Sequence, residues 1–143
     1  LLEELAAHRD GPVIVVSGRQ AHAAAKSILP EHAVIGLSIK TAADKIDWSP
    51  LKGRAVIFAP ANRAEEMEAA RSAAARAQAA GAASVSLLNW PAIAPAVGGW
   101  RTLWARVPEG YDFRRLVQDG WTAEHGAALL ELAEPIAGGR RAA

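Results

Sequence analysis

The chain has 143 residues, a formal net charge of +1 and no cysteine. That length fits one domain with a single core, and the missing thiols exclude a disulfide framework and any thiolate metal site. The near-neutral total argues neither for nor against a polyanionic partner, so a nucleic-acid surface here needs a local basic patch. Apolar residues make up 51% of the chain, many of them alanine, which predicts a closely packed, helix-rich core. No apolar run is long enough to span a bilayer and no leader pattern precedes a cleavage site, so no membrane partner is expected and the expected setting is cytoplasmic. The opening "LLEELAAHRDGP" has no initiator methionine and reads as part of a longer polypeptide.

Residues 1–10 read as a lead-in. "PVIVVSGR" is a β-branched run bounded by Gly11–Pro12 and Gly18, which predicts a buried strand over Pro12–Ser17. "RQAHAAAKSIL" follows as a helix with Ala21, Ala24, Ala25 and Ile28 on its inner stripe, stopped by Pro30. "HAVIGLS" is a second strand, and "TAADKIDWSPLKGR" a short helix with a polar turn around Ser49–Pro50. "AVIFAP" is the third strand. The helix after it takes Asn62 as N-cap, carries Glu65, Glu66 and Glu68 in its first turns, and ends near Gly81. Its inner stripe is Met67, Ala70, Ala74 and Ala77. "ASVSLLNWP" is a fourth strand. Alternation of strands and helices over short links predicts an α/β fold, a Rossmann-like parallel sheet of about four strands with helices on both faces. The domain spans residues 11–134. Within it "AIAPAVGGW" is a loop, "RTLWARV" alternates like an edge strand, and "DFRRLVQ" and "TAEHGAALLELA" are closing helices, the second capped by Thr122. Residues 135–143 read as a flexible tail.

The phosphate-binding fingerprints are missing: no Walker loop follows a strand, and the first strand's turn has one glycine where a dinucleotide site needs three. Ser17–Gly18 invites a nucleophile reading with His22 nearby, but Val15 and Arg19 occupy the elbow's glycine positions, and a turn serine capping the helix is the simpler account. The histidines His8, His22, His32 and His125 lack metal-ligand spacing. Glu65, Glu66 and Glu68 sit where acids suit a helix dipole, and Asp112 in "EGYDFRR" can cap a helix. Trp100 and Trp104 lie among Arg101 and Arg106, which fits either base stacking on a basic surface or rings covering the sheet edge. Arg114–Arg115 and Arg140–Arg141 read as solvated positions.

From about Gly11 to Leu132 these segments resemble the Toprim domain of primase–helicase proteins from phages, plasmids and bacterial mobile elements. The stretch "DWSPLKGRAVIFAP" is similar to the family's lead into its third strand, "AAGAASVSLLNWP" to its fourth-strand region and "PEGYDFRRLVQDGWTAE" to its closing segment. The resemblance implies a Mg²⁺ site built from a Glu-Gly pair after the first strand and an Asp-x-Asp pair after the third, where converging carboxylates hold the metal against a phosphodiester. Matched position by position, the glutamate falls on Ser17 and its glycine on Gly18. The two aspartates fall on Ala61 and Arg63, with Pro60 and Asn62 retained, and a later acid falls on Asp112.

The resemblance therefore implies a degenerate, non-catalytic Toprim domain of a replication or mobile-element protein. It would serve as a scaffold or hold DNA or RNA, beside other domains of a longer protein. Arg63 and Arg19 are the expected phosphate contacts, with Trp100, Arg101, Trp104 and Arg106 as further nucleic-acid contacts. No cofactor is expected, and Mg²⁺ only if the site is active. Two alternatives stand beside it. One is an active Mg²⁺-dependent primase or nuclease using Asp112 with Glu65 or Glu66; the other is a small-molecule-binding or protein-interaction domain.

Overall fold

The computed structural model describes residues 2–38, 45–90 and 109–136. At its centre is β1 (Val13–Ser17), paired in parallel with β2 (Ala33–Leu37) on one side and β3 (Ala55–Ala59) on the other. β4 (Ser84–Leu87) continues in parallel from β3, and β5 (Glu134–Pro135) closes that edge antiparallel to β4. The order is thus β2-β1-β3-β4-β5. The expected sheet of about four strands gains this fifth, and the segment read as a tail from Pro135 begins inside it. Two paired residues carry no periodicity for a sequence to display.

The unbroken apolar run of β1 has a simple cause: both faces of the strand are covered. Ile14 and Val16 pack with α2 (Arg19–Ile28), α4 (Phe113–Gln118) and α5 (Gly126–Leu130). Val13 and Val15 face the opposite way, toward α1 (Leu2–Ala7) and α3 (Ala64–Ala79). α3 buries Ala70, Ala73, Ala74 and Ala77, and these small side chains let it lie close over Val56, Phe58 and Val85. It ends in a Schellman turn. Gly81 has φ 107°, Ala82 N–H donates to the Ala77 carbonyl at 3.1 Å and Gly81 N–H to that of Gln78 at 3.0 Å. The three described tryptophans, Trp48, Trp90 and Trp121, are all core residues.

Two starts differ from expectation. The N-cap of α3 is Arg63, one residue beyond Asn62, because the Asn62 backbone is engaged elsewhere. The N-cap of α2 is Gly18 at φ 98°, with no side-chain cap hydrogen bond, so Ser17 does not cap that helix. Thr122 does cap the last helical segment, accepting from Glu124 N–H at 3.3 Å; its first turn, Ala123–His125, is 3₁₀.

Gly126 marks a close helix contact. A Cβ there would lie 2.6 Å from the Ile28 carbonyl oxygen and 2.9 Å from Leu29 Cδ2. Gly126→Ala improves helix propensity by about 1 kcal/mol, yet it drives α5 away from α2. We expect a net destabilisation of ~1–2 kcal/mol by urea denaturation.

α1 is fastened by Glu4. Its Oε2 accepts from Lys26 Nζ at 2.7 Å and from Val34 N–H at 3.0 Å, and His8 Nε2 stands 3.9 Å away. Burial pushes this carboxyl up, but Lys26, the Val34 amide and His8 together outweigh it and hold it below its ordinary value of 4.5. A depressed carboxylate stabilises the fold fully above its ordinary value, and that contribution is lost as pH falls through the lower, folded-state value. Glu4→Gln is therefore expected to cost ~1 kcal/mol or less near pH 7, and progressively less as the pH falls below 4.5, in paired urea titrations.

Candidate functional site

The chain leaves β1 for β2 on one side and later returns to β3 on the other, so the sheet's topological switch point lies between the carboxyl ends of β1 and β3. In open α/β sheets ligands collect at such a crevice. Ser17 stands at the end of β1, and the turn Pro60-Ala61-Asn62-Arg63 follows β3.

Main-chain bonds and one indole help to hold that turn. Asn62 N–H donates to the Tyr111 carbonyl at 2.8 Å, and Gly110 N–H donates to the Asn62 carbonyl at 2.8 Å. The indole Nε1–H of Trp90 donates to the Pro60 carbonyl at 2.7 Å. Arg63 N–H turns back to the Ala61 carbonyl at 2.8 Å. The closing segment is thereby stitched to the β3 turn, and this delivers Asp112 to the crevice. Gly110, at φ 83°, makes room for a guanidinium: a Cβ there would lie 3.0 Å from an Nη of Arg63 and 3.6 Å from its Cζ.

The resulting cleft has a volume of about 340 Å³ and is lined by Ser17, Ala61, Arg63, Glu65, Glu66, Gly110, Asp112 and Arg114. All four positions matched to the family's acids are among them. Asp112 is 5% exposed and already committed. It accepts from Arg114 N–H at 3.0 Å, which caps α4, and Arg114 Nε lies 3.1 and 3.3 Å from its two oxygens. The same guanidinium reaches Gln20 Oε1 on α2 at 2.8 Å. Arg114 is thus exposed, as expected of a solvated position, yet partnered, and Arg115 lies 5.8 Å over the Tyr111 ring.

These residues do not fit a Mg²⁺ site. A hard cation wants several oxygens, but Ala61 supplies no side-chain oxygen, Arg63 supplies a like charge and Asp112 is occupied by Arg114. Glu65 is exposed. Glu66 carries one buried oxygen, Oε1, with no hydrogen-bond partner. At the third position of a helix a glutamate often reaches back to the N-cap amide. Here that amide, Arg63 N–H, is taken by Ala61. Among the described residues no group of three or more acids and histidines is placed to hold a metal.

Arg63 and Arg19 are exposed and, among the described residues, have no carboxylate partner. His22 is turned away from Ser17, its Nε2 lying 3.0 Å from the Val34 carbonyl, so a serine–histidine pair is not formed. Trp100, Arg101, Trp104, Arg106, Arg140 and Arg141 lie outside the described residues, as does the expected helix start at residues 41–44. Gly110 and Trp90 were missed as site-forming residues, although the Gly–aromatic–Asp triplet of "EGYDF" pointed to the first. No protein-family model, curated protein or solved structure matches the chain. Among the described residues, no helix is long and apolar enough to cross a membrane.

Proposed function

We propose that this chain is a Toprim-type domain that has lost its acids, within a replication-related or mobile-element protein, and that it holds single-stranded nucleic acid without cutting or polymerising it. The observation that carries this reading is the exchange of charge in one cleft. Where two aspartates would follow β3 stand Ala61 and Arg63, which has no carboxylate partner among the described residues, while the one acid kept, Asp112, is neutralised by Arg114. A cleft of about 340 Å³ is at the small end of ligand sites. An arginine there binds phosphate directly by charge-assisted hydrogen bonds, replacing a metal-bridged contact.

The test is a pair of measurements. In fluorescence anisotropy at low salt, a labelled single strand is expected to bind equally well with Mg²⁺ or with EDTA. In thermal melts, low-millimolar Mg²⁺ is expected to give no saturable rise in melting temperature. A saturable rise would instead favour the active, Mg²⁺-dependent reading. Failure to bind any strand at low salt would leave the interaction-domain reading.

A further inference from the structure

A second, larger cleft of about 630 Å³ opens on the outer side of β2, between α1 and the start of α2. The contacts along β2 give its order. At the Val34 end stand the carboxylates of Glu3 and Glu4, the latter fixed to Val34 N–H and neutralised by Lys26 at 2.7 Å. In the middle is the His22 ring. Its Nε2 lies 3.0 Å from the Val34 carbonyl, and since a carbonyl only accepts, that nitrogen carries the proton. The His22 Cβ and Cγ pack over Gly36, where an added Cβ would lie 3.0 and 3.3 Å from them. At the far end Gly18 N–H donates to the Leu37 carbonyl at 3.1 Å, which brings Arg19 against the end of the strand. Strand rise puts about 13 Å between Val34 and Ser38.

The cleft thus runs from carboxylate, through a flat ring above an apolar floor, to a cation with no carboxylate partner among the described residues. A nucleotide has the complementary order: hydrogen-bond donors on the base edge, an aromatic ring, then a phosphate. The two linings also follow one another along the chain, Ser17 in the first cleft and Gly18 and Arg19 in the second. We infer that this second cleft receives one base of a single strand, stacked on His22 with its phosphate on Arg19, next to the nucleotide whose phosphate Arg63 holds. The inference rests on the nucleic-acid reading above and adds to it a second position on the strand's path. Base–aromatic stacking is tolerant of sequence, so the cleft selects single strands rather than particular bases.

The experiment compares two labelled strands of equal length at low salt, oligo-dT and the same backbone made abasic. The wild-type protein is expected to bind oligo-dT about tenfold more tightly than the abasic strand. His22→Ala should abolish that preference and leave abasic binding unchanged. His22→Phe, which keeps a flat ring without the bond to Val34, should retain it. If His22→Ala keeps the preference, or if His22→Phe loses it along with the alanine variant, no base stacks in this cleft and the inference fails alone. If the wild-type protein binds neither strand, the nucleic-acid reading fails and takes the inference with it.

Discussion

Replacing Trp90 with alanine is expected to lower the unfolding free energy by about 3–5 kcal/mol, the range for emptying a fully buried aromatic site. Trp90 is 1% exposed and meets Tyr111 and Phe113 edge-on, with ring centroids 5.6 and 5.5 Å away. It also satisfies the buried Pro60 carbonyl through its indole nitrogen at 2.7 Å. Trp90→Phe separates the two roles. It keeps most of the ring packing but leaves the Pro60 oxygen without that donor, at a cost of about 1–3 kcal/mol. Urea denaturation of both variants reads the difference. Equal losses would mean that the hydrogen bond alone accounts for Trp90.

Arg63→Ala is expected to weaken single-strand binding roughly tenfold to a hundredfold, the equivalent of about 1.5–3 kcal/mol for a hydrogen bond to a charged group. It should also reduce the slope of log affinity against log salt by about 0.7, the counterion release for one phosphate of a single strand. Arg63→Lys should recover part of the affinity and less of the geometry, because an ammonium lacks the planar fork. Arg71→Ala, an exposed arginine of α3 that does not line the cleft, serves as the control and should change little. An Arg63→Ala protein with unaltered affinity and salt slope would remove this residue from the interface.

Much of the fold was legible because glycine and proline punctuate the chain where its periodicity changes. Gly11–Pro12, Gly18, Pro30 and Gly81 bracket elements that stand within a residue or two of where the pattern placed them. The misses share a physical origin in tertiary partners. Asn62 has the chemistry of an N-cap, but Tyr111 and Gly110, nearly fifty residues onward, claim its backbone and shift the cap to Arg63. Glu134–Pro135 forms a strand because β4 offers an open edge, not through any preference of its own. Ser17, Ala61, Arg63 and Asp112 line one cleft. What no local pattern could reveal is that Arg114 occupies Asp112, since an Asp-x-Arg pair in a line of sequence looks the same whether it is solvated or locked.

The turn after β3 owes its form to amide, carbonyl and indole contacts, and to none of the side chains at Ala61 or Arg63. Such a turn is indifferent to what it displays. Its displayed side chains can therefore be exchanged without the domain having to be rebuilt. The same independence makes it a natural place to engraft a new activity, because the frame would outlast each change of cargo.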